Sequence, residues 1–264
     1  MKIGYVQTSP EFGEKNKNFK EIADLLTGIR ADLIVLPELF ATGYAFVSRE
    51  EIVFMAEEKG PGGETYNFLK SLSDKTGAVL TGGYIEKENG NFYNASMMVY
   101  HDEIIGIYRK IHLFNKEKLW FTPGNDPPEV YSIHGIRIGM MICFDWIFPE
   151  ACRSLALKGV QVIAHPSNLV MPYCQKAMVT RCIENRVFAV TANRIGEERR
   201  GEDHFVFTGR SQITSFNGEV LSSAPADQTF TGFAEIEVDQ SNNKKINEYN
   251  DLLDDRRPEL YFAP

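Results

Sequence analysis

No apolar run in this 264-residue chain approaches the ~20 residues that a membrane-spanning helix needs. The opening stretch, MKIGYVQTSP, lacks the apolar core of about 7–15 residues that marks a secretory leader. Four cysteines, at 143, 152, 174 and 182, are too few for a disulfide framework, and no CxxC pair suggests zinc. Lys and Arg are outnumbered by Asp and Glu, 28 to 36, and are scattered among them. A net charge of -8 without a polybasic patch argues against a nucleic acid or an anionic membrane as partner. Repeats and low-complexity segments are also missing. These absences lead to the expectation of a soluble, cytoplasmic protein that works in a reducing setting.

What is present is an alternation of two kinds of segment. KIGYVQT (2–8) and DLIVLP (32–37) read as short buried strands. Between them Phe19, Ile22, Ala23, Leu26 and Ile29 recur at helical spacing, which predicts a helix over 17–30. A second amphipathic helix is predicted over 64–76, with Gly77 just past its end. AVLTGGYI (78–85) and NFYNASMMVY (91–100) flank Asn89-Gly90; both residues tolerate positive φ, so a hairpin is predicted there. EIIGIYRK (103–110) follows through His101-Asp102, and EVYSI and IRIGMMI flank His134-Gly135 as a further hairpin.

Pro149 near the start and Lys158-Gly159 at the end bound a helix in PEACRSLALKG. VQVIAHP then reads as a strand and YCQKAMVTRCIENR as a helix, before VFAVTAN, GRSQITSF, GEVLSSA and FTGFAEIEV complete the strands. Many strands are apolar on both faces, which suits an α/β stack of sheets covered by helices. The composition shifts near residue 240, dividing a body over 1–240 from a polar tail over 241–264. The tail ends in Leu260, Tyr261 and Phe262, a cluster suited to docking on the body or on a partner subunit.

Three reactive side chains fall just past the C-terminal ends of apolar strands. Glu38 follows DLIVLP, Lys110 follows EIIGIYR and Cys143 follows IRIGMMI. Strand ends of a rigid sheet are where α/β proteins gather their chemistry. Singly, each has an ordinary explanation: packing for the cysteine, solvation for the lysine, a loop or helix start for the glutamate. Together they would make a nucleophilic machine. A thiol with a free pKa of about 8.5 is only a few per cent thiolate at neutral pH. Attack on an amide or nitrile therefore needs a base beside the thiol and a cation facing the developing negative charge, roles open to Glu and Lys. A helix N-terminus just after Cys143 would favour the thiolate, and the Phe144 N–H would help to hold an oxyanion.

LPELF, YRKIHLF, FTPG and GMMICFDWIFPE resemble, in that order, the signature blocks of the nitrilase, or carbon–nitrogen hydrolase, family. The resemblance runs from about residue 2 to residue 240. It implies a catalytic Glu38-Lys110-Cys143 triad, with Glu117 supporting the lysine, on a four-layer α-β-β-α sandwich that pairs into homodimers and uses neither metal nor cofactor. HPSNLV and RCIENRVFAVTANRIG also resemble family blocks, which places Asn168 near the pocket and gives Glu184-Asn185-Arg186 a structural role. Tyr44, Phe144, Trp146 and Asn168 are the expected pocket residues, and Asp145 is expected to fix the turn.

The resemblance leaves the substrate open between small amides and nitriles. Relatives that cleave N-carbamoyl amino acids carry arginines just after the catalytic cysteine, where this chain has Trp146 and Ile147, so a small apolar-walled pocket is expected. A histidine-assisted peptidase or acyltransferase built on His112, and an idle scaffold, are the competing readings. His101, His134, His165 and His204 show no metal-ligand spacing, and Cys152, Cys174 and Cys182 read as packing.

Overall fold

The computed structural model describes residues 1–261. Alternation along single strands sets its layers. In the stretch 33–36, Leu33 and Val35 enter one apolar cluster while Ile34 and Leu36 enter another. That period of two is the behaviour of a strand buried on both faces.

In chain order the elements are β1 (Lys2–Gln7), α1 (Lys15–Leu25), β2 (Leu33–Val35), α2 (Arg49–Met55), β3 (Glu57–Glu58), α3 (Glu64–Thr76), β4 (Val79–Glu88), β5 (Asn91–Tyr100) and β6 (Glu103–Arg109). A short α4 (Glu117–Trp120) leads to β7 (Val130–Ile133), β8 (Ile136–Met140), α5 (Pro149–Leu157), β9 (Val162–Pro166), α6 (Cys174–Asn185) and β10 (Phe188–Ala192). β11 (Glu197–Arg200), β12 (Asp203–Val206), β13 (Gln212–Thr214), β14 (Val220–Ser223), β15 (Phe230–Glu235) and α7 (Pro258–Tyr261) follow.

A seven-stranded sheet runs β15-β1-β2-β4-β5-β6 with β3 beside β4, and a six-stranded sheet runs β14-β13-β10-β9-β8-β7. Each holds a parallel trio, β1-β2-β4 in one and β8-β9-β10 in the other. The helices that connect these trios cover the outer surfaces. Val6, Ile34, Leu80 and Met97 pack outward against Ile22 of α1 and Leu69 and Leu72 of α3. Ile3, Leu33 and Val35 pack inward against the second sheet in a cluster that continues through Ile138 and Val162 to Leu155 of α5 and Met178 of α6. Helix, sheet, sheet, helix is the expected α-β-β-α sandwich. Each fully buried aliphatic side chain contributes roughly 1.5–3 kcal/mol toward holding these layers.

Turn chemistry sets the registers. Asn89 and Gly90 take φ of 51° and 79°, and His134 and Gly135 take 50° and 79°. Both dipeptides close two-residue hairpins, pairing Glu88 with Asn91 and Ile133 with Ile136. Gly77 ends α3 in the left-handed region, and Pro149 opens α5.

The first helix departs from expectation: it covers 15–25 rather than 17–30, because the chain turns away and passes Gly28 at a φ of 74°. Helix α2 and the β11-β12 hairpin were not expected at all. Val53 and Phe54 of α2 face outward, 52% and 87% exposed, so no clean apolar stripe marks that helix. In the tail, Asn242, Asn243 and Lys244 bond to Arg137, Arg186 and the end of α6. Leu260 and Tyr261 remain exposed, and Phe262 lies outside the described residues.

The chain leaving β2 passes directly over β4. A Cβ added to Gly83 would lie 2.5 Å from the Leu39 backbone nitrogen and 2.7 Å from Glu38 Cα. Backbone atoms held in a sheet cannot retreat as the end of a flexible side chain can. Gly83→Ala is therefore expected to lower the unfolding free energy by about 1–3 kcal/mol, read from the urea midpoint at constant m-value. An unchanged midpoint would mean that the segment around Glu38 yields freely.

Candidate active site

Exits from the two parallel trios and from β6 converge on one region. Glu38 stands three residues past β2, Lys110 directly past β6, Cys143 three past β8, and Asn168 two past β9. Two of these exits are strained, since Leu39 has a φ of 48° and Cys143 a φ of 41°. A left-handed backbone at a residue with a Cβ costs roughly 1–2 kcal/mol, so the surroundings must hold it.

At Cys143 they do. The Ile142 N–H donates to Asp145 Oδ2 at 2.9 Å, and the Asp145 N–H returns to the Ile142 carbonyl at 3.1 Å, opening a 3₁₀ turn over Cys143–Ile147. Asp145 is itself pinned by the Tyr108 hydroxyl at 2.8 Å and by the His112 backbone N–H at 3.2 Å. From β9, His165 Nε2 lies 2.9 Å from the Cys143 carbonyl oxygen, and its Nδ1 lies 3.1 Å from Thr191 Oγ1. Burial lowers the pKa of His165, which keeps the ring neutral. A neutral ring facing a carbonyl must carry its proton on Nε2, leaving Nδ1 to accept from Thr191.

The charged groups are packed below the thiol. Lys110 is fully buried, and its ammonium donates to Glu38 Oε1 at 2.7 Å and to Glu117 Oε1 at 2.8 Å. Glu117 also accepts from the Tyr44 hydroxyl at 2.8 Å and from the Phe114 N–H at 3.1 Å. Asn94 Nδ2 donates to Glu38 Oε1 at 2.7 Å, whereas Glu38 Oε2 is buried with no partner.

Burial works against charge on Lys110, but Glu117 and Glu38 outweigh it and hold the ammonium protonated. Burial likewise pushes the Glu117 carboxyl upward, with Lys110 opposing. For Cys143, burial and then the Glu38 charge drive the thiol well above its ordinary range, against a smaller pull from Lys110. The expectation that a following helix N-terminus would favour the thiolate is not met. A 3₁₀ turn of five residues intervenes, and α5 begins only at Pro149. The resting nucleophile is a neutral thiol.

Cys143 opens into a small cavity walled by Phe114, Phe144, Trp146, Asn168, Leu169, Val170 and Met171, with no charged side chain in the wall. Both polar atoms of the Asn168 side chain are buried without a partner. Larger clefts of about 720 and 820 Å³ lie elsewhere and exclude Cys143. Of the expected pocket residues, Phe144, Trp146 and Asn168 line this cavity. Tyr44 does not: it stands behind Glu117, its ring edge-on to Phe205 and Phe207 at 5.4 and 6.0 Å. His112 turns away from the thiol, with Nδ1 2.8 Å from Asp145 Oδ1 and its ring stacked 3.7 Å from Phe148, so a Cys–His dyad is not formed.

Sequence reasoning overlooked Asn94 and His165. Asn94, a polar residue inside the apolar stretch of NFYNASMMVY, was a signal for the first; the second opens the block HPSNLV, but its contact with a main-chain carbonyl left no mark. Among the described residues, no group of three or more His, Cys, Asp or Glu side chains is arranged to hold a metal ion. No helix among them is long and apolar enough to cross a membrane.

Fold and site together define an α-β-β-α protein whose chemistry centres on a buried thiol beside a clamped ammonium. The family model described as carbon-nitrogen hydrolase matches residues 2–245, and the chain belongs to that family. It is 46% identical to a nitrilase from Pyrococcus abyssi, with 99% of each chain covered. It is 32% identical to an (R)-stereoselective amidase from Pseudomonas sp, covering 97% of this chain and 92% of the relative. Among solved structures, a carbon-nitrogen hydrolase from Helicobacter pylori G27 superposes with a TM-score of 0.87 at 25% identity, covering 99% of this chain and 97% of the other. The chain is therefore an enzyme, a hydrolase of the nitrilase and amidase type.

The other three cysteines have no such setting. Cys152, Cys174 and Cys182 are 0% exposed, against 6% for Cys143, and burial raises all three thiols, that of Cys152 to about 12. A small neutral alkylating amide should label the native protein once, at Cys143, and the other three cysteines only after denaturation. Peptide mass mapping reads this directly, and early label on Cys152, Cys174 or Cys182 would contradict it.

Proposed function

We propose that this enzyme hydrolyses the carbon–nitrogen bond of small, uncharged amides through a thioester on Cys143, with Glu38 as the base and Lys110 as the electrostatic partner. The observation that carries the reading is the buried ammonium of Lys110, clamped between two carboxylates next to a thiol that opens into an uncharged cavity. A neutral thiol is a weak nucleophile until its proton has somewhere to go.

Glu38 takes the S–H proton as the sulfur–carbon bond forms, and the carbonyl π pair moves onto oxygen. The Lys110 ammonium and the Phe144 N–H face that oxyanion. When the carbonyl re-forms, the C–N bond breaks and Glu38 passes its proton to the departing nitrogen, releasing ammonia. Water then attacks the thioester and gives a proton to Glu38. The C–S bond breaks, the proton returns to sulfur, and a carboxylic acid leaves. Glu117 and Tyr44 keep the lysine charged and aimed. Donors of this kind are worth about 3–4 kcal/mol each, so losing Lys110 should cost roughly 10²–10³-fold or more in kcat.

Nitriles share the nucleophile and are the second reading. Asn168 favours the amide. Its buried donor and acceptor lack partners, and a primary amide supplies N–H groups that a nitrile lacks. Without a cation in the wall, a carboxylate-bearing carbamoyl compound has nothing to grip it. The working unit is taken as a homodimer, the arrangement that the family resemblance implies, in the reducing cytoplasmic setting expected from the composition.

Cys143→Ala is expected to abolish ammonia release from short aliphatic amides while leaving Tm within a few degrees; wild-type turnover in that variant would refute the assignment. Asn168→Leu should lower kcat/KM for amides by about 10-fold or more while changing nitrile turnover little, since leaving a buried polar partner unmatched costs about 1–3 kcal/mol. Equal losses on both substrates, in an assay across an amide and nitrile panel, would remove Asn168 from substrate discrimination.

A further inference from the structure

We infer that Asn94 is a positioning residue that decides which oxygen of Glu38 acts as the base, an inference that rests on Glu38 being that base. The two carboxylate oxygens are unequally treated. Oε1 accepts from both Lys110 Nζ and Asn94 Nδ2, each at 2.7 Å, while Oε2 is buried with no partner. Buried acceptors are almost always satisfied, and an unsatisfied one costs on the order of 1–3 kcal/mol. A carboxylate oxygen holding two donors is the less basic of the pair. The bare oxygen keeps its lone pairs for the thiol proton.

Asn94 is built to do this. It lies on β5, is 1% exposed, and its carbonyl accepts the backbone N–H of Lys110 at 2.8 Å. One residue therefore anchors the side chain of the acid and the backbone of the amine. The opposite amide rotamer would point Oδ1 at a carboxylate, acceptor against acceptor, so the N–H₂ must face Glu38. Rotation about the last Glu torsion is soft. Without the amide, the carboxylate is free to turn until both oxygens share the Lys110 ammonium, which would leave neither bare for the thiol proton. The other titratable groups that act on this carboxyl's surroundings are Glu117, Tyr44, Cys143 and His165. None of them donates to Glu38 Oε1.

The test uses the full-length enzyme with Asn94→Leu, close in size but without a donor, and Asn94→Ala, which covers the case where leucine does not pack. Circular dichroism and Tm establish that each variant is folded. With a short aliphatic amide, kcat is expected to fall about 10-fold to 100-fold at nearly constant KM, the usual effect of losing a hydrogen bond to a charged group. Removing a donor disfavours the ionised carboxylate, so the acid-side half-point of the kcat/KM profile should move to higher pH. Alkylation of Cys143 should slow in parallel.

Wild-type kcat and an unmoved acid half-point in a folded variant would overturn the inference, as would a rise in KM alone. Glu38→Gln separates the two levels. If that variant loses hydrolysis while Asn94→Leu changes nothing, only the role of Asn94 falls; if it retains hydrolysis, the base assignment itself falls.

Discussion

A buried ammonium is the constraint around which the site is organised. Moving Lys110 out of water costs several kcal/mol unless opposite charge and hydrogen bonds meet it at close range. Two carboxylates meet that requirement, but only if Glu38, Lys110 and Glu117 arrive from three separate elements. β2 and β6 belong to one sheet, on either side of β4 and β5, and α4 brings Glu117 to the ammonium. The lysine is thus satisfied only in the folded molecule. The same requirement holds the acid near the place where Cys143 emerges from the other sheet.

The clamp has an electrostatic consequence for the thiol. Two carboxylates and one ammonium leave an excess of negative charge below Cys143, and burial adds to it, so the thiolate is disfavoured. Many cysteine enzymes store a thiolate beside a histidine. This site keeps the sulfur protonated and leaves one carboxylate oxygen of Glu38 without a partner. On the proposed mechanism, reactivity appears only when a substrate carbon accepts the sulfur's electrons as the proton leaves. That arrangement spares a resting nucleophile from indiscriminate chemistry, because thiolate character governs oxidation and alkylation. An apolar wall of Phe114, Phe144, Trp146 and Leu169 strengthens every charge interaction inside by excluding water.

Much of this was legible in the sequence, for identifiable reasons. Strands buried on both faces read as continuous apolar runs, and the Asn-Gly and His-Gly turns announced their own registers. Glu38, Lys110 and Cys143 stood out because each interrupts an apolar run at its end. What stayed hidden depends on approach between distant segments. Helix α2 exposes Val53 and Phe54 beside its buried Ile52 and Met55, and the β11-β12 hairpin is mostly charged, so neither shows a clean apolar period. Tyr44 was expected on the pocket wall, but the distance between residues 44 and 117 along the chain conceals the hydrogen bond that draws its hydroxyl to Glu117. The contact of His165 with a main-chain carbonyl is equally invisible, because carbonyls carry no sequence signature.

Similarity between the two halves explains why strain gathers where it does. Each sheet presents a parallel trio connected by helices, and each trio delivers a reactive residue at a strand exit next to a left-handed backbone: Leu39 beside Glu38, and Cys143 itself. Such a backbone turns the chain sharply, so that the side chain points across the end of the sheet instead of continuing along the strand. On one side the turn is held by the close passage of Glu38 and Leu39 over Gly83. On the other it is held by Asp145 and by the His165 contact. Glu38 and Cys143 therefore leave opposite sheets of the sandwich, and the interdigitated core between the sheets fixes how those exits stand to each other. A close-packed interior resists sliding because even a methylene's displacement is felt. The inter-sheet core of Leu33, Val35, Ile138 and Val162 thus helps to set how the exits around the cavity are spaced, although none of these side chains touches the cavity.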